Sequence, residues 1–203
     1  REGRCADGDR GIGLLETARN HDPFNPTMHF DLGVYNFHCQ HFDESIRHLE
    51  RASDMAPAFH FSRMMIAWNH SLQGKHQLAA AQCDSLLGER GVRFDHMLIG
   101  SCAWVKARAN QRVEAQELLD SLLNPPIGAR VDPVTISWAC LGLDDVDCSI
   151  EQLERALQQR SSNMIYTQVA PAWNPLRENP RFQTILERMN LPPKGVRYPL
   201  VRD

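Results

Sequence analysis

A pattern of small residues that returns every 34 to 36 positions constrains this chain more than any other feature. Ser45, Ala79, Ala115 and Ser149 stand 34, 36 and 34 residues apart. A second small or apolar slot follows seven residues beyond each, at Ala52, Leu86, Leu122 and Ala156. Seven residues make two helical turns, so both slots lie on one helical face. Repeats of this length mark supersecondary units that stack and bury a continuous core between neighbours. Gln40-His41, Gly74-Lys75 and Asn110-Gln111 supply turn residues ahead of the small slots. Each unit is therefore predicted to be a helical hairpin.

The boundaries carry chemistry of their own. Asp22-Pro23-Phe24-Asn25-Pro26 ends one helix and begins the next, because proline cannot continue a helix but fits its first turn. Asp43 and Glu44 place carboxylates in a first turn, where the helix dipole favours them by about 0.3 to 1 kcal/mol each. Pro125-Pro126 and Pro133 bracket a linker at 127–132, and Asn179-Pro180 offers an N-cap with proline at the first helical position. The organisation that follows is a partial unit at 1–25, second helix only; repeats at 26–59, 60–95, 96–129 and 130–160; a linker and C-terminal capping helix at 161–191; and a tail at 192–203. One unit back from Ser45 and Ala52 lie Gly11 and Ala18, which resemble a second helix whose partner is missing or reduced to residues 1–9. An array needs a polar cap at each end, so this end predicts a piece cut from a longer protein.

The stretch from Leu32-Gly33 through Phe42-Asp43-Glu44-Ser45 to Leu49, Ala52 and Pro57 resembles one tetratricopeptide repeat (TPR), with Ser45 in the small slot and Leu49 in the aromatic one. The fold this implies is all-α: a right-handed superhelical array of hairpins, a TPR-like α-solenoid, closed by a capping helix. The end of the chain is more specific. Leu153-Glu154-Arg155-Ala156, Arg160-Ser161, Trp173-Asn174-Pro175-Leu176-Arg177-Glu178-Asn179-Pro180-Arg181-Phe182 and Leu186-Glu187-Arg188-Met189-Asn190-Leu191 resemble the C-terminal TPR tail of bacterial signalling proteins. Those proteins carry an N-terminal adenylate cyclase, serine/threonine kinase or winged-helix transcription regulator. Two departures stand out: Leu143-Asp144-Asp145-Val146-Asp147 lengthens the fourth turn by about two residues, and Cys148-Ser149 replaces the usual alanine. An irregular fourth hairpin is expected.

In such an array the first helices line a concave groove, and equivalent positions form a ladder along it. Trp68 and Trp104 are equivalent, one 36-residue step apart, and Trp138 continues the step at 34, although the longer turn leaves its register open. With Phe30, Val34, Phe37, Met64 and Met65, and with His38 and Arg108 as polar edges, they would form an apolar partner-binding groove, because aromatics and Met are enriched where proteins bind proteins. The competing assignment is interhelical core, where most aromatics at helical spacing belong. A carboxylate clamp of the chaperone-binding kind would need Lys and Asn where Phe30, Val34, Met64 and Trp68 stand.

The expected function is a protein-interaction module, the sensing or regulatory part of a larger bacterial cytoplasmic protein. It binds a peptide or helix, which could come from the output domain of its own parent chain. The alternative is a TPR domain that senses a small molecule and controls a linked output domain. Neither an enzyme nor a cofactor is expected. His38-Cys39-x-His41 is the densest ligand cluster, but a zinc site wants four ligands and a Cys-His enzyme a third orienting group. Gly11-Ile12-Gly13 lacks the strand and third glycine of a phosphate loop. The formal charge of -3 with 22 scattered Lys and Arg gives no footprint for nucleic acid, and no apolar run reaches the roughly 18 residues of a membrane span. The six cysteines form no CxxC pair and are expected as buried thiols in a reducing cytosol, with a disulfide framework as the alternative. Residues 192–203, with Lys194, Arg197, Tyr198 and Arg202, are either a flexible tail or a docked segment.

Overall fold

The structure, a computed structural model, describes residues 6–89 and 94–190, with side chains from Arg10 onward. The tail at 192–203, Cys5 and most of the expected reduced partner helix at 1–9 lie outside the described residues. The described residues contain helices and turns and no strand. The helices are α1 (Ala6–His21), α2 (Pro26–His38), α3 (Phe42–Met55), α4 (Phe61–Leu72), α5 (His76–Leu87), α6 (His96–Arg108), α7 (Arg112–Leu123), α8 (Pro133–Gly142), α9 (Val146–Gln158) and α10 (Pro180–Arg188). Two 3-10 turns, Ser162–Tyr166 and Pro171–Leu176, lie between α9 and α10.

Each helix from α1 to α9 packs on the next, and the first helices of the hairpins also pack on one another, α2 on α4, α4 on α6 and α6 on α8. The turns explain the regularity. Gln40, Gly74, Asn110 and Asp144 all have positive φ, between 63° and 82°, and they repeat at the 34-, 36- and 34-residue steps of the small slots. After each, a backbone N–H reaches five residues back: His41 to Asn36, Lys75 to His70, Gln111 to Lys106 and Asp145 to Cys140, every one at 2.9 Å. This is the Schellman closure of a helix, in which one left-handed residue lets the chain reverse while orphan carbonyls are satisfied. The fourth turn is identical to the others, which corrects the expectation of a longer, irregular hairpin. Asp144 supplies the left-handed residue, and α9 begins two residues later, as α3, α5 and α7 do after theirs.

The small slots work as contact points between paired helices. Ser45 Oγ donates to the Gly33 carbonyl at 2.7 Å, and Ser137 Oγ to the Ser149 carbonyl at 2.8 Å. Ala67, Ala79, Ala103 and Ala115 are fully buried. A Cβ at Gly33 would stand 2.5 Å from Leu49 Cγ, so glycine is required there. The N-cap read from sequence does cap, Asn179 accepting from the Arg181 amide, and the structure adds two more ahead of prolines: Asn25 accepts from the Thr27 amide and Asp132 from Val134.

Two expectations fail. Residues 161–179 are not a bare linker, because Met164, Ala170, Pro171, Ala172, Trp173 and Leu176 are buried within the main apolar cluster or beside it. Cys140 and Cys148 form a disulfide, with Cα atoms 5.8 Å apart, and Cys39 is disulfide-bonded as well; Cys83 and Cys102 remain as buried thiols. Disulfides persist where the surroundings oxidise, so the cysteines no longer favour a reducing cytosol. No helix of the described residues is long and apolar enough to cross a membrane.

Candidate interaction surface

Position six before each left-handed turn residue holds Val34, Trp68, Trp104 and Trp138. With the fourth turn regular, Trp138 takes the same register as the other two tryptophans. The face built by α2, α4, α6 and α8 brings them into contact. Trp68 stacks on Trp104 with ring centroids 4.9 Å apart and meets Trp138 edge-on at 5.1 Å. Phe37 closes the row against Trp68 at 6.0 Å. Two close approaches draw α6 and α8 together: a Cβ on Gly100 would lie 2.5 Å from the Thr135 carbonyl oxygen, and one on Gly142 would lie 2.7 Å from Trp104 Cα.

The row is enclosed rather than open except at Trp138, which is half-buried. Phe37, Met64, Trp68 and Trp104 are at most 4% exposed, whereas an unoccupied groove would leave them in water. Part of the cover is the chain's own segment after α9. Trp173 packs against Trp138 at 6.4 Å, and the Tyr166 ring stacks on His38 at 5.1 Å. Met164, Ala170 and Ala172 join the same apolar cluster. The segment is fastened at its start by Asp132, whose Oδ2 accepts from Ser161 Oγ and Asn163 Nδ2 at 2.5 and 2.9 Å. It is held at its end by α10, which buries Phe182 and Ile185, while Arg181 pairs with Glu154 and Asp147.

Of the other expected groove residues, Met65 and Val34 are half-buried, and Phe30 turns away to pack edge-on with Phe59 at 5.0 Å. Arg108 lays its guanidinium 4.8 Å from the Trp104 ring centroid, and desolvation holds its pKa below the usual value. Half-buried His38 has its pKa pushed down to about 4 by desolvation. Its Nδ1 and the indole N–H groups of Trp68 and Trp138 have no hydrogen-bond partner among the described residues. Buried donors without acceptors are costly, about 1 to 3 kcal/mol each.

No family model and no curated protein matches this chain. The surface therefore rests on its own geometry. Among the described residues no group of three His, Cys, Asp or Glu is placed to hold a metal. In the His38-Cys39-x-His41 cluster, Cys39 is tied up in its disulfide, His38 is half-buried and stacked on Tyr166, and His41 is exposed in the turn. Sequence reasoning missed Tyr166 and Trp173 as parts of this surface. Their signal was present in the apolar residues Met164, Ala170, Trp173 and Leu176 within a stretch too proline-broken to show a period.

Proposed function

We propose that this chain is a TPR-type interaction module, the C-terminal regulatory part of a larger bacterial signalling protein, whose concave aromatic row accepts a polypeptide segment. The observation that carries this is that the row is already covered by polypeptide: within the chain's own residues 162–176, Trp173 packs on Trp138, Met164, Ala170 and Ala172 join the row's apolar cluster, and Tyr166 stacks on His38 beside it. A surface that takes one apolar, proline-punctuated segment has the shape and chemistry to take another from a partner or from the parent's output domain. Among the described residues the Trp68 and Trp138 N–H groups have no hydrogen-bond partner. A competing segment whose carbonyls reach those donors gains those bonds.

The test uses a fluorescent synthetic peptide of residues 161–177. Tyr166→Ala and Trp173→Ala loosen the resident segment, so both variants should bind the peptide at least tenfold more tightly than the wild type, read by anisotropy. Trp68→Phe combined with Tyr166→Ala should lose that gain. Equal binding by all forms, or none by any, counts against the surface.

A further inference from the structure

A second site lies at the turn edge of the array. A cavity of about 610 Å³ opens between the ends of α4, α6 and α8 and the Pro171–Leu176 turn, within the size range of small-molecule sites. Its wall includes Leu72, Leu141 and Ala172, and its charged lining is Arg108, Arg112 and Asp144, beside His76. Arg112 and Asp144 neutralise one another at 2.9 Å, and Arg112 also donates to the Leu143 carbonyl. Arg108 makes no ion pair among the described residues. Its guanidinium is held over Trp104. A neighbouring hollow of about 390 Å³ shares His76 and Arg108 with the first, adds Lys75 and contains no carboxylate. Both hollows therefore carry a positive excess beside apolar wall. The His76 ring adds little charge at neutral pH, since burial and the adjacent Arg108 lower its pKa.

We propose that this cavity binds a small organic anion, with its carboxylate on Arg108 and its apolar body against Leu72, Leu141 and Ala172. Arg108 suits the task because its planar fork pairs a carboxylate through two parallel hydrogen bonds while its face stays on the indole. Pro171 and Ala172 form part of the wall, so an occupant touches the array and the covering segment together. The site stands whether or not the aromatic row binds peptide.

The probes are 2-naphthoate, its neutral analogue 2-naphthamide and inorganic phosphate, titrated against the full chain while intrinsic tryptophan fluorescence and the melting temperature are followed. The naphthoate should bind saturably and about tenfold or more tighter than the amide, the scale of one charge-assisted pair. Arg108→Gln should reduce it to the amide's level. Asn174→Trp, at an exposed lining position, should fill the cavity and weaken both aromatic probes. Phosphate should bind far more weakly than the naphthoate, for want of an apolar body. Circular dichroism confirms that each variant is folded; should Arg108→Gln not fold, Asn174→Trp alone decides. Equal binding of acid and amide, naphthoate binding unaffected by the variants, phosphate matching the naphthoate, or no saturable binding would each overturn the proposal. Failure of the peptide to bind in the anisotropy experiment leaves this result untouched, so the two can fail separately.

Discussion

His38 sets an acid limit on the fold. Its folded pKa of about 4 lies below the ordinary 6.5 because the ring is desolvated. Above pH 6.5 the ring is neutral in both states and its stabilising contribution is complete. As pH falls from 6.5 to about 4 the unfolded chain takes up the proton first, and stability is lost, by at most about 3 kcal/mol. Urea titrations at stepped pH should show the loss flatten below pH 4 and shrink in His38→Gln; an unchanged slope in that variant would disprove the assignment. The His29–His48 pair, Nδ1 to Nδ1 at 3.3 Å, adds to the trend, since burial and, for His48, the facing His29 lower both pKa values. Glycines give a second prediction at this scale. Gly100→Ala must push its Cβ into the backbone of Thr135 and should cost about 1 to 3 kcal/mol, measured by denaturant midpoint. Gly74→Ala strains a left-handed turn with open space around it, and should cost less. The shared register of Trp68 and Trp104 was legible in the sequence because a period fixes which side chains share a face, whereas that of Trp138 was settled only by the regular fourth turn. The enclosure of the row was not, because its cover has no period.

At the scale of elements, the hairpins were legible and the segment after α9 was not. Small slots, turn residues and caps are local signals, each tied to one helix end, and they placed the first three turns; the fourth was misread as longer, where Asp144 supplies the left-handed residue. The segment of 3-10 turns has no such local code. Its conformation is decided by the apolar row it covers, which is a tertiary effect. Its attachment through Asp132 is correspondingly specific. Asp132→Ala removes the α8 cap and both bonds to Ser161 and Asn163 and should cost about 1 to 2 kcal/mol for the cap alone. Asp132→Ser restores the cap without reaching the segment, so it should recover melting temperature while leaving the amides of 162–176 in faster exchange. Equal exchange in wild type and Asp132→Ser would show that the segment does not depend on this anchor.

For the whole molecule, the segment changes the topology of stability. An array of stacked hairpins holds together mainly through neighbours and can come apart in pieces. Here Tyr166 returns from beyond α9 to stack on His38 in α2, while Trp173 bridges Trp138 and Phe182. Distant hairpins are thereby joined in one apolar cluster, and unfolding should be a single transition in which tryptophan fluorescence and circular dichroism coincide. Trp173→Ala should separate the two. The chain's own segment lying on its tryptophan row is read out by the nuclear Overhauser spectrum of the intact chain with labelled tryptophans. Cross-peaks between the Trp138 and Trp173 rings and between His38 and Tyr166, together with Trp68 to Trp104, are the predicted result. Trp68 to Trp104 contacts without either of the other two would contradict the account.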